Sequence, residues 1–265
     1  MRSEDDYFYF DKKKRFVKLW DSGIASLVNT RLSKGEWAIV LYLAQYVDYQ
    51  SCIAKNGDRI LTRSDIVLGC NVSPDAVKKD MKRLRRLGIL TEVKIEDRIK
   101  IIVNPFVYCR GSKANATLLE IFKDTPQYRD SFCKVSKREV DVIDNLIKLE
   151  DTVTFTKMWT DNYPNVINQK LTGGEFAVLI LCMSYVKRLD GVLVHRNGKL
   201  LTFENIVGMT NLSTWTVEKA INKFINIHFL ANTEFVRPST GEIIKCYAIN
   251  PLLCAKSEKV ELEVY

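Results

Sequence analysis

Six bases crowd into the stretch NVSPDAVKKDMKRLRRLGIL, Asn71 to Leu90: Lys78, Lys79, Lys82, Arg83, Arg85 and Arg86. Ammonium and guanidinium groups at this density neutralise anions, and the polyanion best matched to a row of them is a nucleic-acid backbone. The flanking residues say what holds the row. Ser73 can cap a helix whose first position suits Pro74, because proline's missing donor has no partner there. Val77, Met81, Leu84 and Leu87 recur at steps of four and three and so share one face. Lys79, Lys82 and Arg86 point away from that face, with Lys78, Arg83 and Arg85 beside them. Gly88 ends the helix, and Ile89-Leu90 leads into a strand. A solvated basic face is the ordinary alternative for such a helix. One helix does not decide between the two.

Other reactive side chains are not grouped. His195 and His228 have no Cys or His partner at metal-ligand spacing, which favours structural roles. No GxxxxGK(S/T) loop, GxGxxG fingerprint or nucleophile elbow occurs. No catalytic residue, metal or cofactor is therefore assigned, and the expected class is a binding protein rather than an enzyme. The seven cysteines are scattered without a CxxC pair, the pattern of buried thiols in a reducing compartment. A net charge of +8 favours an anionic partner, and a hydrophobic content of 46% supports real cores in 265 residues. No apolar run is long enough for a membrane span, and MRSEDDYFYF lacks the apolar centre of a signal peptide. The expected location is the cytoplasm of a bacterial or phage-infected cell, with no membrane partner.

The elements that would position these bases occur twice. FVKLW (Phe16–Trp20) returns as FTKMW (Phe155–Trp159), and LSKGEWAIVLYLAQYV (Leu32–Val47) as LTGGEFAVLILCMSYV (Leu171–Val186). NGDRILT returns as NGKLLT, the basic stretch as NLSTWTVEKAINKFINIHFL (Asn211–Leu230), and Asn104-Pro105 as Asn250-Pro251. Such self-similarity in one order implies an internal duplication. The chain divides into a leader (1–13), a first module (14–113), a partly helical connector (114–154), a second module (155–256) and an acidic tail (257–265). Each module begins a helix with a capping box, Ser33-x-x-Glu36 or Thr172-x-x-Glu175. An Asn-Gly hairpin, a short second helix, a third helix opened by Ser73 or Ser213, and a two-stranded hairpin follow. The expected fold is α+β, mainly α: two tandem winged-helix units, each a helix-turn-helix with a β-hairpin wing. In the connector, Leu118–Phe122 suits a strand or short helix, and Arg138 to Glu150 has helical spacing.

In that fold the third helix enters the major groove, so the outward bases of the first copy face phosphates and base edges. The expected DNA contacts there are Ser73, Lys78, Lys79, Lys82, Arg83 and Arg86, with Lys94, Arg98 and Lys100 on the wing. Arg110 to Lys113 could touch the phosphate backbone or form a plain polar exit from the wing. The second copy offers Trp215, Lys219, Asn222 and Lys223, with Arg237 at its wing tip. Trp215 suits either a thymine methyl or a packing role against the connector or the other copy. Lys and Arg exceed Asp and Glu by 9 in residues 14–113 but by 4 in 155–256, so the first copy supplies most of the electrostatic attraction.

FVKLW, the LSKGEW helix, the Thr62–Leu90 helix-turn-helix and the closing VNPFVYCRGSK resemble the RepL-type plasmid replication proteins of Firmicutes. The resemblance covers residues 16–113 well and 155–256 more loosely, where His228-Phe229 and Lys256-Ser257 replace the family's G-I and R-G. RepL-type proteins generally look like one module, whereas this chain has two. Two such modules in one chain also resemble the wider class of plasmid replication initiators, which grip directly repeated origin sites. The resemblance implies a double-stranded DNA binder that marks a plasmid or phage origin and recruits replication proteins. A transcriptional regulator that meets RNA polymerase at a promoter shares the same contacts. A protein-interaction scaffold using Trp215 and DYFYF is the distant alternative. The segment 114–154 suits a structured connector that fixes the distance between the modules or dimerises them, and since it need not impose a two-fold axis, non-palindromic or directly repeated sites suit the chain, with a homodimer compatible.

Overall fold

The computed structural model describes residues 7–9, 15–95, 97–111, 113–127, 140–141, 146–148, 155–188, 190–195, 197–236, 241, 243–256 and 259–261. The fold is mixed α+β, with small antiparallel sheets set against helices. Strand β1 (Tyr7–Tyr9) belongs to the leader, and β2 (Phe16–Trp20) opens the first half. Helix α1 (Asp21–Asn29) and α2 (Lys34–Gln45) follow, then the hairpin β3 (Lys55–Asn56) and β4 (Arg59–Ile60). Helices α3 (Arg63–Cys70) and α4 (Pro74–Arg86) lead to the hairpin β5 (Leu90–Ile95) and β6 (Arg98–Val103), and β7 (Tyr108–Cys109) closes the half. Next come β8 (Lys113–Asn115), α5 (Ala116–Phe122), β9 (Val140–Asp141) and β10 (Leu146–Lys148). The second half repeats the order: β11 (Phe155–Trp159), α6 (Tyr163–Asn168), α7 (Gly173–Ser184), α8 (Phe203–Thr210), α9 (Thr214–Asn226), the hairpin β12 (Leu230–Val236) and β13 (Ile243–Ile249), and β14 (Cys254–Ala255). Strand β15 (Lys259–Glu261) pairs antiparallel with β1.

The expected start signals act as read. Ser33 Oγ accepts the Glu36 N–H at 3.2 Å while the Ser33 N–H donates to the Glu36 carboxylate at 2.7 Å, and Thr172 with Glu175 repeats both bonds. Thr62 and Thr202 cap α3 and α8, and Asn71 and Asn211 end those helices in the left-handed conformation. The Asn-Pro pairs also have a physical role. Asn104 Nδ2 donates to the Gly88 carbonyl at 2.7 Å, and Asn250 Nδ2 to the His228 carbonyl at 2.9 Å, so each Asn ties the wing's exit to the end of α4 or α9. The Pro105 and Pro251 carbonyls accept the indole N–H of Trp20 and Trp159 at 2.7 and 2.8 Å.

The halves are not beads on a linker. Strands β2 and β11 pair with each other in the order β14-β11-β2-β7, with Lys18 opposite its equivalent Lys157, Phe16 opposite Trp159 and Trp20 opposite Phe155. Equivalent residues facing each other in an antiparallel pair define a local two-fold axis normal to the sheet. Side chains obey it: Phe16 meets Trp159 edge-on at 5.7 Å and Phe155 meets Trp20 edge-on at 5.5 Å. Lys18 Nζ lies 4.6 Å from the Phe155 ring centre, and Lys157 Nζ 5.1 Å from that of Phe16. Trp37 stacks on its equivalent Phe176 at 6.2 Å. The two short helices are exchanged, α1 lying along α7 and α6 along α2. One hydrophobic core runs through both halves, including Val17, Ile24, Trp37, Leu84, Phe176 and Phe224.

Three expectations change. Helices α1 and α6, which hold the halves together, have no strong sequence signal: neither has a side-chain N-cap bond. The described residues between Arg138 and Glu150 are strand, not helix, and β10 pairs with both β8 and β9. The connector does not space the halves apart; α5 lies against the first, with Leu118 and Phe122 beside Trp20, Cys52 and Phe106. Among the described residues no helix is long and apolar enough to cross a membrane. The six described cysteines are buried free thiols, and Cys133 lies outside the described residues.

Candidate nucleic-acid interface

Helix α4 forms as its sequence predicts. Ser73 Oγ accepts the Ala76 N–H at 3.2 Å, Pro74 occupies the first position, and Val77, Met81 and Leu84 are buried against α2 and α3. The opposite face carries Lys78, Lys79, Lys82 and Arg86, all exposed. Among the described residues none of these four is held in an ion pair. Of the two acids on this helix, Asp75 is exposed in the first turn, while Asp80 is half-buried against the N-terminal turn of α2, its carboxyl raised above the ordinary range by burial and then by Glu36, against a pull from Lys79 and Arg83. So bases outnumber the exposed acid on the outward face four to one.

Arg83 departs from the expected contact set. Its guanidinium turns inward, ion-paired with Glu36 and donating to the Thr30 carbonyl at 3.0 Å, and Glu36 is only 1% exposed. A buried carboxylate without a cation is costly, so the long arginine side chain follows the charge and not the helical wheel. Lys223, the equivalent in α9, does the same with Glu175 at 3.1 Å. Burial pushes the Glu175 carboxyl upward, but the Thr172 N–H and Lys223 together outweigh it and hold it below the ordinary range. Arg83 and Lys223 therefore anchor the third helices to the capping boxes of α2 and α7. They leave the candidate contact surface. Arg110 leaves it too: it donates to the Gln45 carbonyl at 2.7 Å, at the C-terminal end of α2.

On the β5–β6 hairpin, the expected wing, Lys94 and Arg98 are exposed and Lys100 is half-buried. Lys94 ion-pairs with Asp97 at 2.8 Å across the turn, a solvated pair of little net strength. Beneath the wing, Glu92 accepts two bonds from Arg63 at 2.8 and 2.7 Å and pairs with Arg85 at 3.0 Å. Two guanidiniums around one carboxylate leave one surplus positive charge between α3, α4 and β5. Arg63 carried no sequence signal, because its place depends on the hairpin register that brings Glu92 opposite it. Arg59, Arg63 and Arg98 line a cleft of about 650 Å³ between the β3–β4 hairpin and the wing. Asp58, Glu92 and Asp97 line it as well, so neither this cleft nor its counterpart in the second half, about 590 Å³ and lined by Glu204, Glu234 and Lys245, is basic.

On α9, Val217, Ala220, Ile221 and Phe224 are buried, while Lys219 and Asn222 are exposed. Trp215 is 67% exposed, so the packing alternative does not hold: its ring carries Lys219 Nζ at 5.0 Å. Arg237 lies outside the described residues. His195 Nε2 shares a hydrogen bond with Asn205 Oδ1 at 3.1 Å, which places it at the start of α8. No family model, curated protein or solved structure matches the chain.

Proposed function

We propose that the chain binds double-stranded DNA, with each half acting as a winged-helix unit that arose by internal duplication. The observation that carries this reading is the outward face of α4, where Lys78, Lys79, Lys82 and Arg86 stand exposed and unpaired among the described residues. The order of α2, α3, α4 and the β5–β6 hairpin supports it, since a third helix with a wing beside it is the arrangement that presents such a face to a major groove. Exposed wing residues Lys94 and Arg98 extend the cationic surface. In the second half Trp215, Lys219 and Asn222 offer an apolar plane, a charge and an amide suited to base edges.

The biological role we favour is a plasmid or phage replication initiator, by the resemblance of residues 16–113 to RepL-type proteins, with replication proteins as further partners. A promoter-binding regulator would use the same residues, and mapping the protein to a repeated origin or to a promoter separates the two. The DNA reading is tested by titrating salt against affinity for duplex fragments. Log affinity falls linearly with log salt at a slope of about −0.9 per neutralised phosphate. A flat response, or unaltered binding by the Lys79→Glu/Lys82→Glu variant, overturns it.

A further inference from the structure

Independently of DNA binding, we infer that the seam between the halves holds a small monovalent anion of chloride's class, seated on the Arg110 guanidinium beside Thr160 and Tyr163. The halves are otherwise related by the two-fold axis between Lys18 and Lys157. Here their charges do not match.

Two cations leave the outer strands of the central sheet at equivalent positions, Arg110 after β7 and Lys256 after β14. Each donates to the end of its own half's long helix, Arg110 to the Gln45 carbonyl at 2.7 Å and Lys256 to the Ser184 carbonyl at 2.8 Å. Lys256 also reaches Asp21, the residue after β2 in the opposite half, at 3.7 Å. The residue equivalent to Asp21 is Thr160, directly after β11. Where the two-fold sets a carboxylate against Lys256, it therefore sets a hydroxyl against Arg110. That hydroxyl donates to the Arg15 carbonyl at 3.2 Å and brings no counter-charge. Asp48, the carboxylate whose charge acts on Arg110, is already ion-paired with Lys55 at 3.1 Å and accepts from Ser51.

Two buried donors mark the seat. Arg110 Nε is closed off from solvent and makes no hydrogen bond among the described residues, and the same holds for the Tyr163 hydroxyl, on a side chain 2% exposed. Tyr163 follows Thr160 by three residues, so the two share a side of the turn that enters α6. Guanidinium and phenol feel each other's charge. Burial and then Arg15 press Arg110 below its ordinary value, against a pull from Tyr49, Tyr163 and Asp48. Burial, with Tyr108 and Cys254, pushes the Tyr163 phenol well up against a pull from Arg110, so it stays a neutral O–H. A water would give each donor an acceptor but leave the cation uncompensated, whereas an anion meets both needs. One cation and two donors suit a single charge on a single atom. A phosphate would bring more charge and more oxygens than these groups can satisfy.

Urea unfolding of the full chain at fixed ionic strength, with sodium chloride exchanged for sodium isethionate, tests this. The folding equilibrium constant should rise saturably with chloride, by roughly tenfold between about 10 mM and about 500 mM for half-saturation near about 50 mM. Thr160→Asp supplies the carboxylate that Asp21 gives Lys256, and should stabilise the chain while erasing the chloride dependence. Tyr163→Phe should fold and weaken that dependence. In crystals grown with bromide in place of chloride, an anomalous peak should lie beside Arg110 Nε. Equal midpoints in the two salts, an undiminished chloride response in either variant that folds, or no bromide peak at Arg110 overturns the inference.

Discussion

The two halves of this chain solve one packing problem with different residues and then diverge where they face outward. A buried capping glutamate is met by Arg83 in one and Lys223 in the other, and an exit cation caps α2 as Arg110 and α7 as Lys256. The end of the third helix is left-handed in both, as Gly88 at φ 70 and His228 at φ 59. Only the first must be glycine: a Cβ there would collide with Thr125, beyond α5. What is retained between the halves is the charge or the backbone shape that the core demands. What is free is the outward face, where four of five equivalent positions differ, Asp75, Lys78, Lys82 and Arg86 of α4 against Trp215, Glu218, Asn222 and Asn226 of α9. What the halves share and where they differ lie on different sides of the same helices.

The sharpest way to break this comparison is at the shared centre. Trp37→Ala should cost about 3–5 kcal/mol, and the whole chain should still unfold in one step in urea, because both halves lean on that ring. Two separate transitions would show that the halves are independent. On DNA, Lys79→Glu with Lys82→Glu should lower affinity about a hundredfold and flatten the salt slope by about 2, with circular dichroism unchanged. Lys219→Glu should cost less. Glu36→Gln and Glu175→Gln should each destabilise by about 1–3 kcal/mol, and the two values should agree to within about 1 kcal/mol by denaturant titration if the anchors are equivalent.

The smallest effects are in pH. Thr62's N–H, against some opposition from burial, and then Arg59 hold Asp65 below the ordinary carboxylate range. A depressed carboxyl stabilises above its unfolded value, and that stability is lost as pH falls through the folded one. Asp80 has the opposite sign, since burial and Glu36 raise it: it removes stability as pH rises through the carboxylate range. Asp80→Asn should therefore raise the neutral-pH urea midpoint by about 0.5 kcal/mol equivalent and remove that dependence. The second half already has Ala220 at this position.

Much of the fold could be read in advance wherever the signal was local. Capping boxes, Asn-Gly turns, the apolar spacing of α4 and the alternating wing strands each depend on a few neighbouring residues. The pairing of β2 with β11 was hidden because FVKLW and FTKMW have no turn between them and nothing local names a partner. Helices α1 and α6 were hidden because their apolar faces match the opposite half. For the candidate site, Lys78, Lys79, Lys82 and Arg86 stand where helical periodicity puts them. Arg83 and Lys223 do not, because periodicity assigns a side to Cβ while a long cationic side chain bends toward a buried carboxylate. Arg63 escaped notice since its partner Glu92 is brought to it only by the hairpin.

The exchange of α1 onto α7 sets a timetable for the newborn chain. As the polypeptide leaves the ribosome, α1 must wait about 150 residues for its seat to be synthesised, with its oily side uncovered meanwhile. A truncated product stopping after α4 carries the cationic helix without the scaffold that aims it. Packing of the shared core is therefore held back until the second half has been translated, so the two halves are completed together.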